Sequence, residues 1–249
     1  SIGDYAFEGT QIKSIHIPDS VKKIGSQVFN IDVLKTVNMP SNIEEIGNYA
    51  FGYTYDGYND NTLSFKNFYL PNTLRKIGDG AFSSTKLNCE LRLPESIEEI
   101  GERAFMNCGL TGSLTLPNKI KEIKRSTFQG NNFTGNLILS PNTIDIDASA
   151  FCQSGFSGEL ILPEGLVSIG SHAFENCKFT GPLILPESLV LIEEYAFQST
   201  EFTGSLTIPK GISTLKIDAF SSTKFSTITL PSTVREIQGH MSSDYLRTV

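Results

Sequence analysis

Phenylalanines stand at Phe7, Phe29, Phe51, Phe82, Phe105, Phe128, Phe151, Phe174, Phe197 and Phe220, in steps of 22, 22, 31 and then 23 six times. Ten of the eleven prolines keep the same beat, from Pro18 and Pro40 through to Pro209 and Pro231. Pro141 falls one place late behind Ser140, and Pro182 stands off the beat. A fixed period of this length marks a stacked-repeat architecture, because one such unit cannot bury its own apolar side chains and its neighbours must do so.

The unit "FTGPLILPESLVLIEEYAF", residues 179–197, shows the columns. Leu183 and Leu185 flank Ile184 in a period-two strand pattern, and Pro186 ends it because proline cannot donate to a sheet ladder. "SLVLI" predicts a second extended segment carrying Leu189 and Ile192. "EEYAF" is too short for a helix of any length and predicts one α or 3₁₀ turn ending on Ala196-Phe197. Gly25, Gly47, Gly78, Gly101 and Gly170 recur where a tight corner is expected. The predicted fold is a right-handed solenoid, with about ten coils of 22–23 residues, a parallel sheet spaced about 4.8 Å per coil, and one short turn per coil. It forms a single domain over residues 1–237 that starts in mid-repeat, with nine extra residues at about 52–63. Residues 238–249 break the pattern, Gln238 replacing Gly and Ser242 replacing Phe, and read as a terminal cap or a truncated end. The opening "SIGDYAF" is itself the middle of a repeat, so the chain is expected to be a fragment, and a missing export signal says nothing about secretion.

"LILPEGLVSIGSHAFENC" and "LRLPESIEEIGERAFMNC" resemble the BspA-like class of leucine-rich repeats, over residues 2 to about 237. The resemblance implies an exported, surface-attached protein of a host-associated bacterium or mucosal protozoan, acting in adhesion to host matrix proteins or other cells. Its motif residues are core residues, so it carries over no binding residue. Function has to lie in the variable positions.

Chemistry is hard to find in those positions. A net charge of −7 without a basic cluster argues against nucleic acid, and no apolar run approaches a membrane span. Cys108 and Cys177 share a small, buried turn column with Thr85, Asn131 and Ser154. Across neighbouring coils, Cys152 to Cys177 is a conceivable disulfide, and no C-x-x-C spacing suggests zinc. His16, His172 and His240 form no ligand motif, and His172 reads as a surface residue. "GDGAFS", residues 78–83, only echoes a phosphate loop, and Asn132-Phe133-Thr134 is a formal sequon within an ordinary repeat. Glu44-Glu45, Glu98-Glu99 and Glu193-Glu194 read as solvated charge. The chain is predicted not to be an enzyme and to need no metal or cofactor.

Two outward columns change character together. Two places before the proline run His16, Asn38, Tyr69, Arg92, Thr115, Ile138, Ile161, Ile184, Thr207 and Thr229. Four places after it run Lys22, Glu44, Arg75, Glu98, Lys121, Ile144, Val167, Val190, Ser213 and Arg235. Both turn apolar in the same three coils, which makes Ile138, Ile161, Ile184, Ile144, Val167 and Val190 a candidate contact stripe. Strand propensity alone, or cover by a neighbouring segment, are the plainer readings.

The insertion supplies Tyr53, Tyr55, Asp56, Tyr58 and Asp60, a candidate binding loop whose tyrosines offer broad contact area at low entropic cost. Asp56, Asn59 and Asp60 match no calcium-loop spacing, and a drifted surface loop without function is the plain alternative. The expectation is a non-enzymatic cell-surface or secreted module that binds a host protein, another cell or a glycan, with weak homo-association allowed. The alternative is a structural spacer of a larger surface protein that associates along the stripe.

Overall fold

The computed structural model describes residues 1–29, 34–52, 64–65 and 68–242. Two parallel ladders run along the stack, as the two extended segments per unit require. After each proline, Lys23–Ile24, Glu45–Ile46, Lys76–Ile77 and Glu99–Ile100 form one sheet. Glu122–Ile123, Asp145–Ile146, Ser168–Ile169 and Leu191–Ile192 form the next, and Thr214–Lys216 pairs with Glu236–Gln238. Isoleucine lies over isoleucine at each rung of the two four-stranded sheets, so the Ile column is continuous and buried.

Before the proline the ladder is more broken. It comprises Ser14–Ile15, Thr36–Val37 and Ser64–Phe65, then Leu114–Thr115 with Leu137–Ile138, then Ser157–Gly158, Lys178–Gly181, Glu201–Thr207 and Lys224–Thr229. The tighter unit "FSTITLP" is one residue shorter than "FTGSLTIP", and a register shift between Gly204 and Ser205 absorbs the difference.

The Ala-Phe turn forms a third set of bonds between coils. One of these turns, Ile217–Phe220, is 3₁₀ helix. Elsewhere hydrogen bonds run from coil to coil: the Phe82 N–H donates to the Ala104 carbonyl, Phe151 to Ala173 and Phe174 to Ala196, at 2.8–2.9 Å. The residue before Ala is left-handed in coil after coil, as at Tyr49, Arg103, Ser149, His172 and Tyr195, with φ between 52° and 60°. A side chain with a Cβ gives up on the order of 1 kcal/mol to sit there. That geometry aims such amides at the next coil: the Tyr49, Arg103, Ser149 and His172 N–H groups donate to the Asp79, Arg125, Ser171 and Glu194 carbonyls at 2.7–3.0 Å.

Phenylalanines fill the interior in two files. The Phe7-to-Phe220 column stacks face to face with ring centroids 5.0–5.8 Å apart. Phe133, Phe156, Phe179, Phe202 and Phe225 form the second file, meeting the first edge to face, as Phe156 does on Phe151.

The insertion leaves the stack in order. Ile46 still pairs with Ile77, and Phe51 still stacks on Phe82 at 5.4 Å across the 31-residue step. One rung differs from expectation. By repeat position Phe68 corresponds to Val37, yet Phe65 is the residue paired with Val37. Phe65 and Phe68 both then pack edge-on against Phe82, so two large rings fill the second file in this coil.

The corner glycines serve a purpose other than the expected one. None of Gly25, Gly47, Gly78, Gly101 and Gly170 has positive φ. A Cβ on Gly47 would lie 2.5 Å from the Gly25 carbonyl carbon, and one on Gly170 would lie 2.5 Å from the Ala148 nitrogen. Glycine is needed there because the backbone of the preceding coil runs against it.

Candidate functional site

The small turn column is buried, and it is structural. Phe carbonyls at the end of each turn have to be satisfied inside the core. Thr85 Oγ1 donates to the Phe82 carbonyl at 2.6 Å, Ser154 Oγ to Phe128 at 2.7 Å and Cys177 Sγ to Phe151 at 3.1 Å. Asn131 does more: Nδ2 donates to the Phe105 and Phe128 carbonyls at 2.8 Å, and Oδ1 accepts from the Cys108 and Leu110 amides. All four cysteines are free thiols, so the Cys152–Cys177 disulfide is not formed. Cys152 Sγ is directed at Glu175 instead, 3.6 Å away. Burial pushes the Cys108, Cys152 and Cys177 thiols up to about 12, which keeps them protonated and poorly nucleophilic.

His172 sits at the surface, as its column implied, with Nδ1 2.8 Å from Glu175 Oε2 and its ring against Tyr195. In the phosphate-loop echo, the Gly80 amide donates to the Glu102 carbonyl at 2.7 Å, so it is spent on the ladder. Among the described residues no group of three or more His, Cys, Asp or Glu is placed to hold a metal ion.

The carboxylate pairs are more organised than solvated charge. Glu44 and Glu45 meet Lys22 and Lys23 of the preceding coil at 2.9 and 2.7 Å. Glu99 is held at 2.7 Å by both Lys76 below and Lys124 above, while Glu98 pairs with Lys119 at 2.7 Å. Lys216 bridges Glu193 and Glu194. Hydrogen bonds from Lys124 and then Lys76 hold the Glu99 carboxyl below its ordinary range.

The stripe is on the surface. Ile138, Ile161 and Ile184 are 54%, 76% and 76% exposed, and Ile144, Val167 and Val190 are exposed as well. Leu191, one place beyond Val190, joins them and was not singled out from the sequence. The three isoleucines are ridges. One groove lies between Ile138 and Ile161, a second between Ile161 and Ile184, and Glu159 lines both. Pro182, the off-beat proline, lines the second groove, and its break from the period was the signal that could have marked it.

Tyr53, Tyr55, Asp56, Tyr58 and Asp60 lie outside the described residues. The residue before them, Gly52, is buried, and a Cβ added to it would come within 2.7 Å of the Ser83 amide nitrogen.

The chain matches the model of the BspA type leucine rich repeat region in six copies, over residues 1–59, 55–180 and 136–245. No curated protein sequence matches it. Among solved structures it is similar to a leucine rich cell surface protein of Faecalibacterium prausnitzii A2-165, at 20% identity and a TM-score of 0.57 over 92% of this chain and 82% of that one. It is also similar to a leucine-rich repeat protein of Bacteroides ovatus ATCC 8483, at 17% identity and a TM-score of 0.53 over 90% and 70%. At these identities the likeness shows the fold.

Proposed function

The chain belongs to the BspA-type leucine-rich repeat family, and on that premise we propose that it is a non-enzymatic interaction module of a cell-surface or secreted protein. Its ligand is a host protein, another cell or a glycan, engaged through the variable faces of the solenoid and the tyrosine-rich insertion. One observation carries the reading. In a stack whose outward positions are otherwise mostly polar, two columns turn apolar over the same three coils and stay uncovered. Exposed Ile, Val and Leu side chains in one patch are a cost to solubility that a binding surface explains. Cell-surface placement is supported by the family and by the likeness to the Faecalibacterium cell surface protein. No helix among the described residues is long and apolar enough to cross a membrane.

The test is a binding screen against immobilised extracellular-matrix proteins and glycans. It compares the chain with a Tyr53→Ser, Tyr55→Ser, Tyr58→Ser triple variant and with Ile161→Asn. Saturable binding that either variant loses, at an unchanged melting temperature, is the expected result. No binding by the parent chain across the panel would overturn the reading in favour of a spacer.

A further inference from the structure

We propose that the Ile138–Ile161–Ile184 ridges and the two grooves between them dock a cationic, apolar segment of a partner protein. The segment is extended, with aliphatic side chains entering the grooves and Lys or Arg side chains meeting Glu159 and Glu164. This rests on the reading of the chain as an interaction module and names the partner's chemistry at one of its surfaces.

The grooves supply the apolar half of the argument. Their walls are aliphatic ridges on successive coils, and among the described residues no ladder pair closes the sheet between Ile138 and Ile161 or between Ile161 and Ile184, which leaves the grooves open to aliphatic side chains. Charge selects the occupant. Seven carboxylates elsewhere on the stack, Glu44, Glu45, Glu98, Glu99, Glu193, Glu194 and Glu201, are met by a lysine or arginine from a neighbouring coil. Glu159 lines both grooves and Glu164 lines one, and among the described residues neither has a cation within ion-pair distance. Residues 126–209, which carry the stripe, hold nine carboxylates and a single lysine, Lys178. Lys216 and Lys224 pair with three of the nine, and among the described residues the other six, Asp145, Asp147, Glu159, Glu164, Glu175 and Glu187, have no lysine or arginine within ion-pair distance. A second copy laid on this face would bring that charge against itself, with Glu159 and Glu164 uncompensated on both sides. A basic segment supplies the missing counter-charges and covers the isoleucines in one step.

The probe is a fluorescein-labelled, end-capped heptapeptide alternating Lys and Val, titrated with the intact chain and followed by anisotropy. Saturable binding is expected, and Ile161→Asn should weaken it about tenfold or more, the loss that follows from removing one aliphatic contact. Glu159→Gln should weaken it several-fold at low salt and less at high salt. Both positions are exposed, so melting temperatures should match the parent. Absence of saturable binding would overturn the proposal. So would equal binding of a Lys/Ser peptide, which would reduce the effect to charge alone. Sedimentation showing a dimer that Ile161→Asn abolishes would also overturn it, making a second copy the occupant. A matrix protein or glycan that depends on the tyrosines but ignores Ile161→Asn would sink this inference and leave the proposed function standing.

Discussion

The Asn131 side chain makes five hydrogen bonds in a place where its neighbours along the column make one to three, and it is buried. Truncation strands the Cys108 and Leu110 amides and the Phe105 carbonyl in the core, while Ser154 still serves the Phe128 carbonyl; each group left unsatisfied costs about 1–3 kcal/mol. Asn131→Ala should therefore lower unfolding free energy by at least about 2 kcal/mol, read by urea denaturation. Asn131→Ser should lose less, because the serine at the equivalent position of the next coil, Ser154, reaches the Phe128 carbonyl at 2.7 Å. Equal stability of the alanine variant and the parent would show that water replaces the side chain. The stacked phenylalanines set a second expectation at this scale. Phe151 is fully buried between Phe128 and Phe174, and Phe151→Ala should cost about 3–5 kcal/mol. By contrast Ile161→Asn, at 76% exposure, should leave the melt unchanged.

At the level of the element, the Lys–Glu ladders make the first half of the stack sensitive to acid. Lys124 and Lys76 hold Glu99 ionised below the ordinary carboxylate value of 4.5. A carboxylate depressed in the folded state contributes stability that is present above 4.5 and is lost as pH falls through its lower folded value. The parent should lose stability on acidification through that window, and Glu99→Gln should lose less over the same window while being weaker near neutrality. Parallel pH profiles for the two proteins would remove Glu99 from the account. The strands and the Ala-Phe turn were legible in the sequence because each repeats one local pattern ten times. What the sequence did not show depends on the coil next door. Gly47 and Gly170 read as conformationally free corners, yet an approaching backbone is what excludes a Cβ there. Glu44 and Glu99 read as solvated charge, yet their cations sit 22 to 25 residues away in adjacent coils. The Phe65 rung lies three residues from the position that counting back from Pro71 gives, because both Phe65 and Phe68 fit an apolar strand position. The stripe was legible as a pair of columns, whereas its grooves were not, since they exist only between ridges of successive coils.

Across the whole molecule, stability in such a stack is close to a sum of coil and nearest-neighbour terms, so regions of unlike charge can respond differently to one perturbation. Residues 22–124 carry ion pairs that join successive coils, and these weaken when salt screens them. Residues 126–209 hold nine carboxylates and a single lysine, and carboxylates one to three coils apart lie within about 5 to 15 Å of one another along the stack. Their repulsion is relieved when the screening length falls from about 30 Å at 0.01 M salt to about 10 Å at 0.1 M. Hydrogen exchange should therefore move in opposite directions along one chain. Over that salt range the amides of Gly47, Gly78 and Gly101, which donate between coils in the paired half, should lose protection. The amides of Val167, Gly170 and Phe174, in the acidic third, should gain it. A uniform change along the stack would mean that the coils unfold as one cooperative unit and that no region answers for its own charge. A partner bound at the grooves would act on the same quantity. By supplying cations to Glu159 and Glu164 it should protect the acidic coils at low salt, with a gain that shrinks as salt rises, and leave the exchange of Gly47 and Gly78 where it was.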